Sequence, residues 1–277
     1  MSKKRWIAGL MSAVMALSVL FVNPTETKAS EWFDNILKTK TVKEIKVNTS
    51  YVDAFTEDEF ESDGPYSYYA CKLYKIKVPE DGEISARVEF PELEYISSIN
   101  HYYIYFQNAK QEDDHTAEIG MGFGKTDDGK GYYYVGPNIP VKKGSNYILI
   151  EDADSEGQLL TCDYNLSIEY TPTVKPVYIV DVCEKKKALS ITWKKENDIK
   201  GYEIEYSLKE DFSSKTKKIV VKNKKATKEE LITKELTKLK SNKIYYLRMR
   251  SFKNVKVNGK TNRYYSDWKD GYYVYIL

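Results

Sequence analysis

The last part of this 277-residue chain contains, in this order, Leu189-x-Ile191-x-Trp193, Gly201-Tyr202-x-Ile204-x-Tyr206 and Leu239-x5-Tyr245-x-Leu247-x-Met249. In each stretch, large apolar side chains recur at every second position. Because successive side chains of a β-strand point to opposite faces, this alternation predicts strands with one buried face. We predict strands here over residues 177–182, 188–193, 202–206, 218–221, 231–236, 245–252 and 272–277.

The order and spacing of these apolar landmarks resemble those of a fibronectin type III module, an immunoglobulin-like β-sandwich. The resemblance implies that Trp193 lies in the core. It also implies a tyrosine corner at Tyr245, six residues after Leu239, with the hydroxyl bonded to upstream backbone. Ser241 stands where the family often has proline. In a secreted protein, such a module is expected to bind a partner or to hold other domains apart, and not to catalyse a reaction.

The first half of the chain also alternates apolar and polar residues. Strands over residues 73–78 and 83–90 flank the turn Pro79-Glu80-Asp81-Gly82. Further strands are predicted over residues 44–47, 101–106, 131–135, 147–150 and 164–170. The pieces Tyr74–Gly82, Lys143–Tyr147 and Tyr164–Ile168 resemble the bacterial pre-peptidase C-terminal type of domain. That resemblance implies a small jelly-roll-like sandwich, as found in secreted and cell-surface proteins.

The chain begins with a predicted signal peptide, residues 1–29. Three basic residues precede the apolar run Trp6–Val22, and Ala29 suits cleavage after it. An uncleaved membrane anchor is the alternative. No later segment is apolar enough to span a membrane, so no membrane contact is expected after cleavage. The predicted location is secreted or extracellular, with any association with a cell surface made through non-covalent contacts.

Two domains are predicted for the mature chain. Prolines at positions 172 and 176 indicate a short, stiff linker over residues 171–176. Residues 30–173 would form the jelly-roll-like sandwich and residues 177–277 the fibronectin type III domain. The predicted fold class is therefore all-β, with two β-sandwich domains in tandem.

Charge divides sharply between the two halves. Residues 30–173 carry 13 Lys and Arg against 27 Asp and Glu, a net charge of −14, whereas residues 174–277 carry 26 against 13, a net charge of +13. Three explanations stay open: solvated strand faces, docking of the basic domain on the acidic one, and an anionic external partner. Lysine suits diffuse attraction to phosphate or carboxylate. The candidate basic patch consists of Lys217, Lys218, Lys222, Lys224 and Lys225.

The reactive residues argue against catalysis. The two histidines are His101 and His115, and Gly-x-Ser-x-Gly, His-Glu-x-x-His and a cysteine beside a motif-like histidine are all missing from the sequence. Carboxylates are plentiful, but their spacing along the chain does not single out two that could act together as the catalytic pair of a glycosidase. Nucleic acid is disfavoured as a partner, because export is predicted and no nucleic-acid-binding motif occurs. We therefore predict no catalytic residue.

One acidic stretch approximates a calcium-binding loop. Asp152-Ala-Asp154-Ser-Glu156-Gly157 presents alternating carboxylates, and Asp163 stands at the twelfth position of the same frame. The pattern differs from such loops at three points. Glu156 and Asp163 are not the residue types usual at their positions, and the residues before the loop are strand-like. A structural calcium ion and a solvated hairpin loop are the two alternatives, and no other cofactor is predicted.

Three consecutive tyrosines, Tyr132, Tyr133 and Tyr134, form a candidate sugar-binding surface, because aromatic rings stack on pyranose rings. Alternation places Tyr132 and Tyr134 on one side of a strand and Tyr133 on the other. Core packing and cross-strand pairing are the competing explanation.

The cysteines are Cys71, Cys162 and Cys183, and Cys71 with Cys162 is the pair that falls inside one predicted domain. Cys162 is in phase with Tyr164 on its strand, whereas Cys71 is out of phase with Tyr74. This difference argues against a disulfide, and both a bridge and unpaired buried thiols stay open.

Together these patterns predict a secreted, monomeric bacterial surface protein that acts by binding or adhesion. Its expected partner is an extracellular glycan, an anionic wall polymer or another surface protein. The alternative is an accessory module of a secreted hydrolase system, and a more distant one is a β-sandwich glycosidase.

Overall fold

The structure of the protein, a computed structural model, describes residues 36–62, 68–91, 100–108, 119–120, 122–154, 163–223 and 230–277. Within these ranges the regular structure is β-strand, apart from a short helix at 36–39 and a 3-10 turn at Glu57–Glu59. The strands form four sheets that pack as two β-sandwiches in tandem, which confirms the predicted fold class. The predicted signal peptide, residues 1–29, lies outside the described residues.

The first sandwich consists of two six-stranded sheets. Its strands are β1 (Val42–Glu44), β2 (Ser50–Ala54), β3 (Glu61–Ser62), β4 (Tyr68–Val78), β5 (Gly82–Phe90), β6 (Asn100–Asn108), β7 (Ile119–Gly120), β8 (Gly122–Lys125), β9 (Tyr132–Val135), β10 (Ile139–Val141), β11 (Gly144–Asp154) and β12 (Asp163–Pro172). One sheet has the order β1-β4-β11-β6-β7 with β3 beside β4, and the other has the order β2-β12-β5-β9-β8 with β10 beside β5. The successive long strands β4, β5 and β6 therefore alternate between the two sheets.

The core of the first sandwich lies between these sheets. Every second residue of β5 and β12, and of β4 from Tyr74 to Val78, is buried there, as the alternation predicts. These residues include Tyr74, Ile76, Val78, Ile84, Ala86, Val88, Leu166 and Ile168. Cys71 lies on the opposite face of β4, where it packs with Ile36, Leu73 and Leu149 in a smaller cluster.

The early part of the first sandwich differs from the prediction. A strand was expected over residues 44–47, but β1 ends at Glu44 and a turn follows at residues 47–48. The turn requires a positive φ of 55° at Asn48, a conformation that asparagine tolerates. Ile45 and Val47 are buried because the chain crosses from one sheet to the other here, and not because they continue a strand.

The second sandwich pairs a three-stranded sheet with a five-stranded one. Its strands are β13 (Ile179–Lys185), β14 (Ala188–Lys194), β15 (Gly201–Ser207), β16 (Lys217–Lys222), β17 (Leu231–Thr237), β18 (Lys243–Val257), β19 (Lys260–Tyr265) and β20 (Lys269–Ile276). The sheet orders are β13-β14-β17 and β16-β15-β18-β19, with β20 beside β18. A strand is present at each of the positions predicted for this half of the chain.

The predicted landmarks of the second sandwich are confirmed. Trp193 is fully buried and contacts Tyr202 edge-on, with ring centroids 5.2 Å apart. The Tyr245 hydroxyl accepts a hydrogen bond of 2.9 Å from the backbone N–H of Lys240, which is the tyrosine corner. Because this bond is formed, serine at position 241 in place of proline does not prevent the corner.

The predicted linker, residues 171–176, begins inside a strand. β12 runs to Pro172, which pairs with Gly82, so the first two residues of the expected linker belong to a strand. A proline as the last strand residue fits the end of the ladder, since it has no N–H to donate. Beyond it, Val174 and Val177 are already buried in the second core. The predicted limits of the two domains stay a prediction.

The longest strand, β18, extends past its predicted end and reaches the first sandwich. Tyr245, Leu247 and Met249 lie in the second core, whereas Val255 and Val257, on the same side of the strand by alternation, lie in the first. The strand then turns into β19 through Asn258 and Gly259, both with positive φ. An Asn-Gly pair with this geometry is typical of a type I′ hairpin turn.

Polar contacts accompany this apolar contact between the sandwiches. The Asn258 side-chain amide donates a hydrogen bond of 2.6 Å to the backbone carbonyl of Val47. Lys253 forms an ion pair with Glu80. The partly buried Tyr264 packs against both hydrophobic cores. The contact is therefore built around apolar side chains of the β18–β19 hairpin.

We expect the double substitution Val255→Asp and Val257→Asp to separate the sandwiches, because it places two carboxylates in an apolar contact. Small-angle scattering should show a larger radius of gyration, and the free energy of unfolding should fall by about 3 kcal/mol or more. The matched control is Val180→Asp with Val220→Asp, which adds the same charge at exposed positions of the second sandwich. Equal scattering curves for the two variants would contradict this role of the hairpin.

Candidate binding surfaces

The outward face of β18 carries a continuous row of aromatic, aliphatic and arginine side chains. Its even-numbered residues alternate with the core-facing Tyr245, Leu247 and Met249, so they point away from the core. These outward residues are Ile244, Tyr246, Arg248, Arg250 and Phe252. Ordinary solvated strand faces carry short polar or charged side chains, so this composition marks the face as a candidate binding surface.

The middle of this face is an arginine–aromatic ladder, formed by Phe212, Arg248, Trp268, Arg250 and Tyr265. The guanidinium carbon of Arg248 lies 4.3 Å from the ring centre of Phe212 and 4.6 Å from that of Trp268. The guanidinium carbon of Arg250 lies 4.2 Å from the Trp268 ring and 3.8 Å from the Tyr265 ring. Cations and rings therefore alternate, and each contact is a cation–π interaction.

Two carboxylates of β15 hold the arginines in place. Arg248 Nε donates to Glu205 at 2.7 Å, and Arg250 Nε donates to Glu203 at 2.7 Å. Both glutamates are almost completely buried, and Lys218 from β16 lies 3.3 Å from each of them. These carboxylates help to raise the pKa of Lys218, against the opposing effect of burial. Three cations thus surround two buried anions, which nearly neutralises the ladder.

A glycine allows the ladder to continue toward β19. A Cβ atom at Gly201 would lie 2.5 Å from the Val221 carbonyl oxygen and 2.8 Å from the Phe252 ring. Phe252 can therefore cover β15 closely, and it contacts Tyr265 with ring centroids 6.0 Å apart. Arg263 closes this end with its guanidinium carbon 4.3 Å from the Phe252 ring.

The other end of the face is an exposed aromatic strip, formed by Ile244, Tyr246, Tyr273 and Tyr275. Ile244 lies opposite Tyr275 on the neighbouring strand, and Tyr246 lies opposite Tyr273 with ring centroids 6.4 Å apart. Tyr273 is 71% exposed, Tyr275 47% and Ile244 43%. Large apolar side chains that are clustered and this exposed are typical of interaction surfaces.

The sequence-predicted tyrosines lie on β9 in three different environments. Tyr134 is buried in the first core and contacts Phe90 edge-on at 6.0 Å. Tyr133 lies on the outer face, where the Arg87 guanidinium stacks 3.8 Å from its ring centre. Tyr132 is partly buried, with Lys125 Nζ 5.6 Å from its ring. Their stacking on a sugar stays a prediction, and Tyr134 is positioned for packing instead.

The predicted basic patch is divided by the structure. Lys217, Lys218 and Lys222 belong to β16 and are exposed, but Lys218 is engaged by Glu203 and Glu205. Lys217 Nζ lies 6.0 Å from the Tyr206 ring. Lys224 and Lys225 lie outside the described residues. The patch as an anion-binding surface stays a prediction.

The structure describes three of the four predicted calcium ligands. Asp152 and Asp154 are strand residues at the end of β11, paired with both β4 and β6, and Asp163 begins β12 in the other sheet. Glu156 lies outside the described residues. Within the ranges that the structure describes, no group of three His, Cys, Asp or Glu residues could hold a metal ion. Structural calcium stays a prediction.

The candidate disulfide between Cys71 and Cys162 also stays a prediction. Cys71 pairs with no other cysteine among the described residues, and its buried thiol has a pKa raised to about 12, chiefly by burial and by the nearby Glu151 carboxylate. Cys183 is free and exposed. Cys162 lies outside the described residues, so its pairing with Cys71 stays a prediction.

The arginine–aromatic ladder, the exposed strip and the β18–β19 hairpin were not predicted from the sequence. The sequence contains one signal for the ladder and one for the hairpin. Arg248 and Arg250 alternate with Leu247 and Met249, which places both arginines on one outward face of a strand. Asn258-Gly259 predicts a hairpin between two alternating runs, and this hairpin makes the contact with the first sandwich.

No helix within the described part of the chain is both long and apolar enough to cross a membrane. The chain matches no protein-family model. It also matches no curated protein.

Three solved structures are similar to this chain at low identity. The pre-peptidase C-terminal domain of a collagenase from Bacillus anthracis is 14% identical, covering 47% of this chain and 96% of its own, with a TM-score of 0.29. The FN1–FN3 domains of chicken CNTN1 are 16% identical, covering 63% of this chain and 58% of their own, with a TM-score of 0.25. The adhesin domain of Epf from Streptococcus pyogenes is 13% identical, covering 76% and 72%, with a TM-score of 0.29. None of these similarities identifies what this chain binds.

Proposed function

We propose that this chain is a non-catalytic, extracellular binding protein whose second sandwich attaches to a polysaccharide through the exposed aromatic strip. The observation that carries the proposal is the paired exposure of Tyr273 and Tyr275 beside Tyr246 and Ile244 on one sheet face. Tyrosine combines an apolar ring with a hydroxyl that stays hydrated, so it covers a sugar ring and its hydroxyl groups together. Export through residues 1–29 is part of this proposal.

The ladder supports a binding role for the strip by stiffening the sheet beneath it. Arg248 is fixed by Glu205, Phe212 and Trp268, so the strand next to Tyr246 has little freedom. A surface that is ordered before binding loses less entropy when a ligand arrives. The near neutrality of the ladder favours a ligand recognised by stacking and hydrogen bonds over one attracted by charge alone.

The position of the strip also suits attachment. It lies at the beginning of β18, whereas the contact with the first sandwich lies at the end of the same strand. Val257 lies thirteen positions after Ile244, which at about 3.3 Å per residue is roughly 40 Å. A bound polymer would therefore leave the first sandwich free for other contacts.

We expect Tyr273→Ala with Tyr275→Ala to abolish most polysaccharide binding, because truncating central aromatic residues of an interface commonly costs about 2 kcal/mol or more, a loss of about thirtyfold or more. Binding of the whole mature chain is measured on a glycan array. The glycans that bind on the array are then titrated by calorimetry. The matched control is Tyr132→Ala with Tyr133→Ala, which removes two rings from the surface that the sequence favoured. Loss of binding in this control alone, or no glycan bound by the wild type, would refute the proposal.

We expect Trp268→Ala to lower the free energy of unfolding by about 2 kcal/mol, because Trp268 contacts both Arg248 and Arg250. Tyr273→Ala should change stability by less than about 0.5 kcal/mol, since that side chain is largely exposed. Urea unfolding of both variants provides the measurement. If both lose the same stability, the ladder does not stiffen the sheet.

A further inference from the structure

A cleft lies where the β18–β19 hairpin meets the first sandwich. Its volume is about 540 Å³, and its walls come from both sandwiches. Ile45, Val78 and Val257 contribute apolar surface. The hydrogen bond from Asn258 to the Val47 carbonyl holds the hairpin against this site. The cleft therefore exists only when the two sandwiches are docked.

Lysines dominate the polar lining of the cleft. They are Lys46, Lys77 and Lys143 from the first sandwich and Lys256 from the hairpin. One carboxylate, Glu44, also lines the cleft, and its partner is Lys75 Nζ at 2.8 Å. Lys75, and less strongly Lys77, help to lower the pKa of Glu44. Four cations thus face one anion that is already paired.

These lysines lie in acidic surroundings and have no carboxylate partner in the described part of the chain. Residues 30–173 contain about twice as many carboxylates as cations, and Lys40, Lys43, Lys72 and Lys75 each form an ion pair there. Among the residues that the structure describes, Lys46, Lys77, Lys143 and Lys256 have no ion pair within 4.0 Å. In a unit with a large surplus of negative charge, three lysines without a carboxylate partner line one cleft. An anionic ligand would complete their charge balance.

We propose that this cleft binds the anionic groups of a linear extracellular glycan, either phosphates or carboxylates, with the chain lying against the apolar surface between the lysines. Lysine ammonium groups are compact charges that suit this kind of ligand, which needs no bidentate geometry. The site goes beyond the proposed function, because it is separate from the aromatic strip and recognises charge. It also requires both sandwiches, so its ligand would stabilise their docking.

The test is calorimetric titration of the whole mature chain with three oligosaccharide-sized probes: a glycerol phosphate oligomer, an oligogalacturonate and a neutral dextran oligomer. We expect the anionic probes to bind and the neutral one not to bind. Affinity should fall as salt is raised above physiological strength, where the Debye length is already only about 8 Å. The phosphate and carboxylate probes distinguish the two sources of negative charge. Equal binding of all three probes, or no binding of either anionic probe, would overturn the proposal.

The decisive variant is Lys77→Gln with Lys256→Gln, which removes one cleft lysine from each sandwich. We expect its affinity for the anionic probe to fall about tenfold. The matched control is Lys130→Gln with Lys209→Gln, which removes the same charge from exposed lysines outside both the cleft and the predicted basic patch. Equal losses in the two variants would show that net charge alone attracts the probe, and would overturn the site. Thermal unfolding of both variants confirms that they are folded.

A further comparison separates this site from the aromatic strip. The variant Tyr273→Ala with Tyr275→Ala should bind the anionic probe with unchanged affinity. If it loses that affinity while Lys77→Gln with Lys256→Gln keeps it, the anionic chain binds at the strip and the cleft proposal is wrong. If the strip binds no polysaccharide but the lysine variant loses the anionic probe, the proposed function fails and the cleft stands.

Discussion

The arrangement of this protein depends on one face of one strand being buried in two hydrophobic cores. Tyr245, Leu247 and Met249 complete the second core, and Val255 and Val257 complete the first. A strand keeps its side-chain alternation along its whole length, so the burial of its first half fixes which residues are available to the neighbouring sandwich. A one-residue slip in register would expose both sets together. The docking of the sandwiches is thus tied to the fold of the second one.

The same alternation determines what the opposite face of β18 can present. Because the apolar odd-numbered residues are committed to two cores, the even-numbered ones form an uninterrupted outward row from Ile244 to Phe252. The row is neither fully solvated nor fully apolar, since arginines alternate with rings and buried glutamates balance their charge. Such a network is stable only when every member is paired, which explains why the cations and carboxylates occupy adjacent strands.

The fold could be predicted from the sequence where burial alone decides the pattern. Trp193, Tyr245 and the alternating strands were found because each obeys a rule that acts within a few residues. The ladder could not be found in this way. Phe212 and Trp268 meet Arg248 only because the loop after β15, the strand β18 and the segment before β20 come together in space. Tyr273 and Tyr275 look like ordinary strand residues until their exposure is known. Conversely, alternation alone does not say which side of β9 is buried, and Tyr134, one of the candidate sugar-binding tyrosines, lies in the core.

The contact between the sandwiches depends little on the opposite charges of the two halves of the chain. Opposite net charges of −14 and +13 would favour docking, but screening limits that attraction to about a Debye length. The contact itself is mainly apolar, with the ion pair of Lys253 and Glu80 at its side. Short-range burial therefore holds the sandwiches together, and the charge of each remains largely available to solvent and ligands. At the cleft, where lysines from both units meet without carboxylate partners among the described residues, that remaining charge becomes a local site instead of a diffuse field.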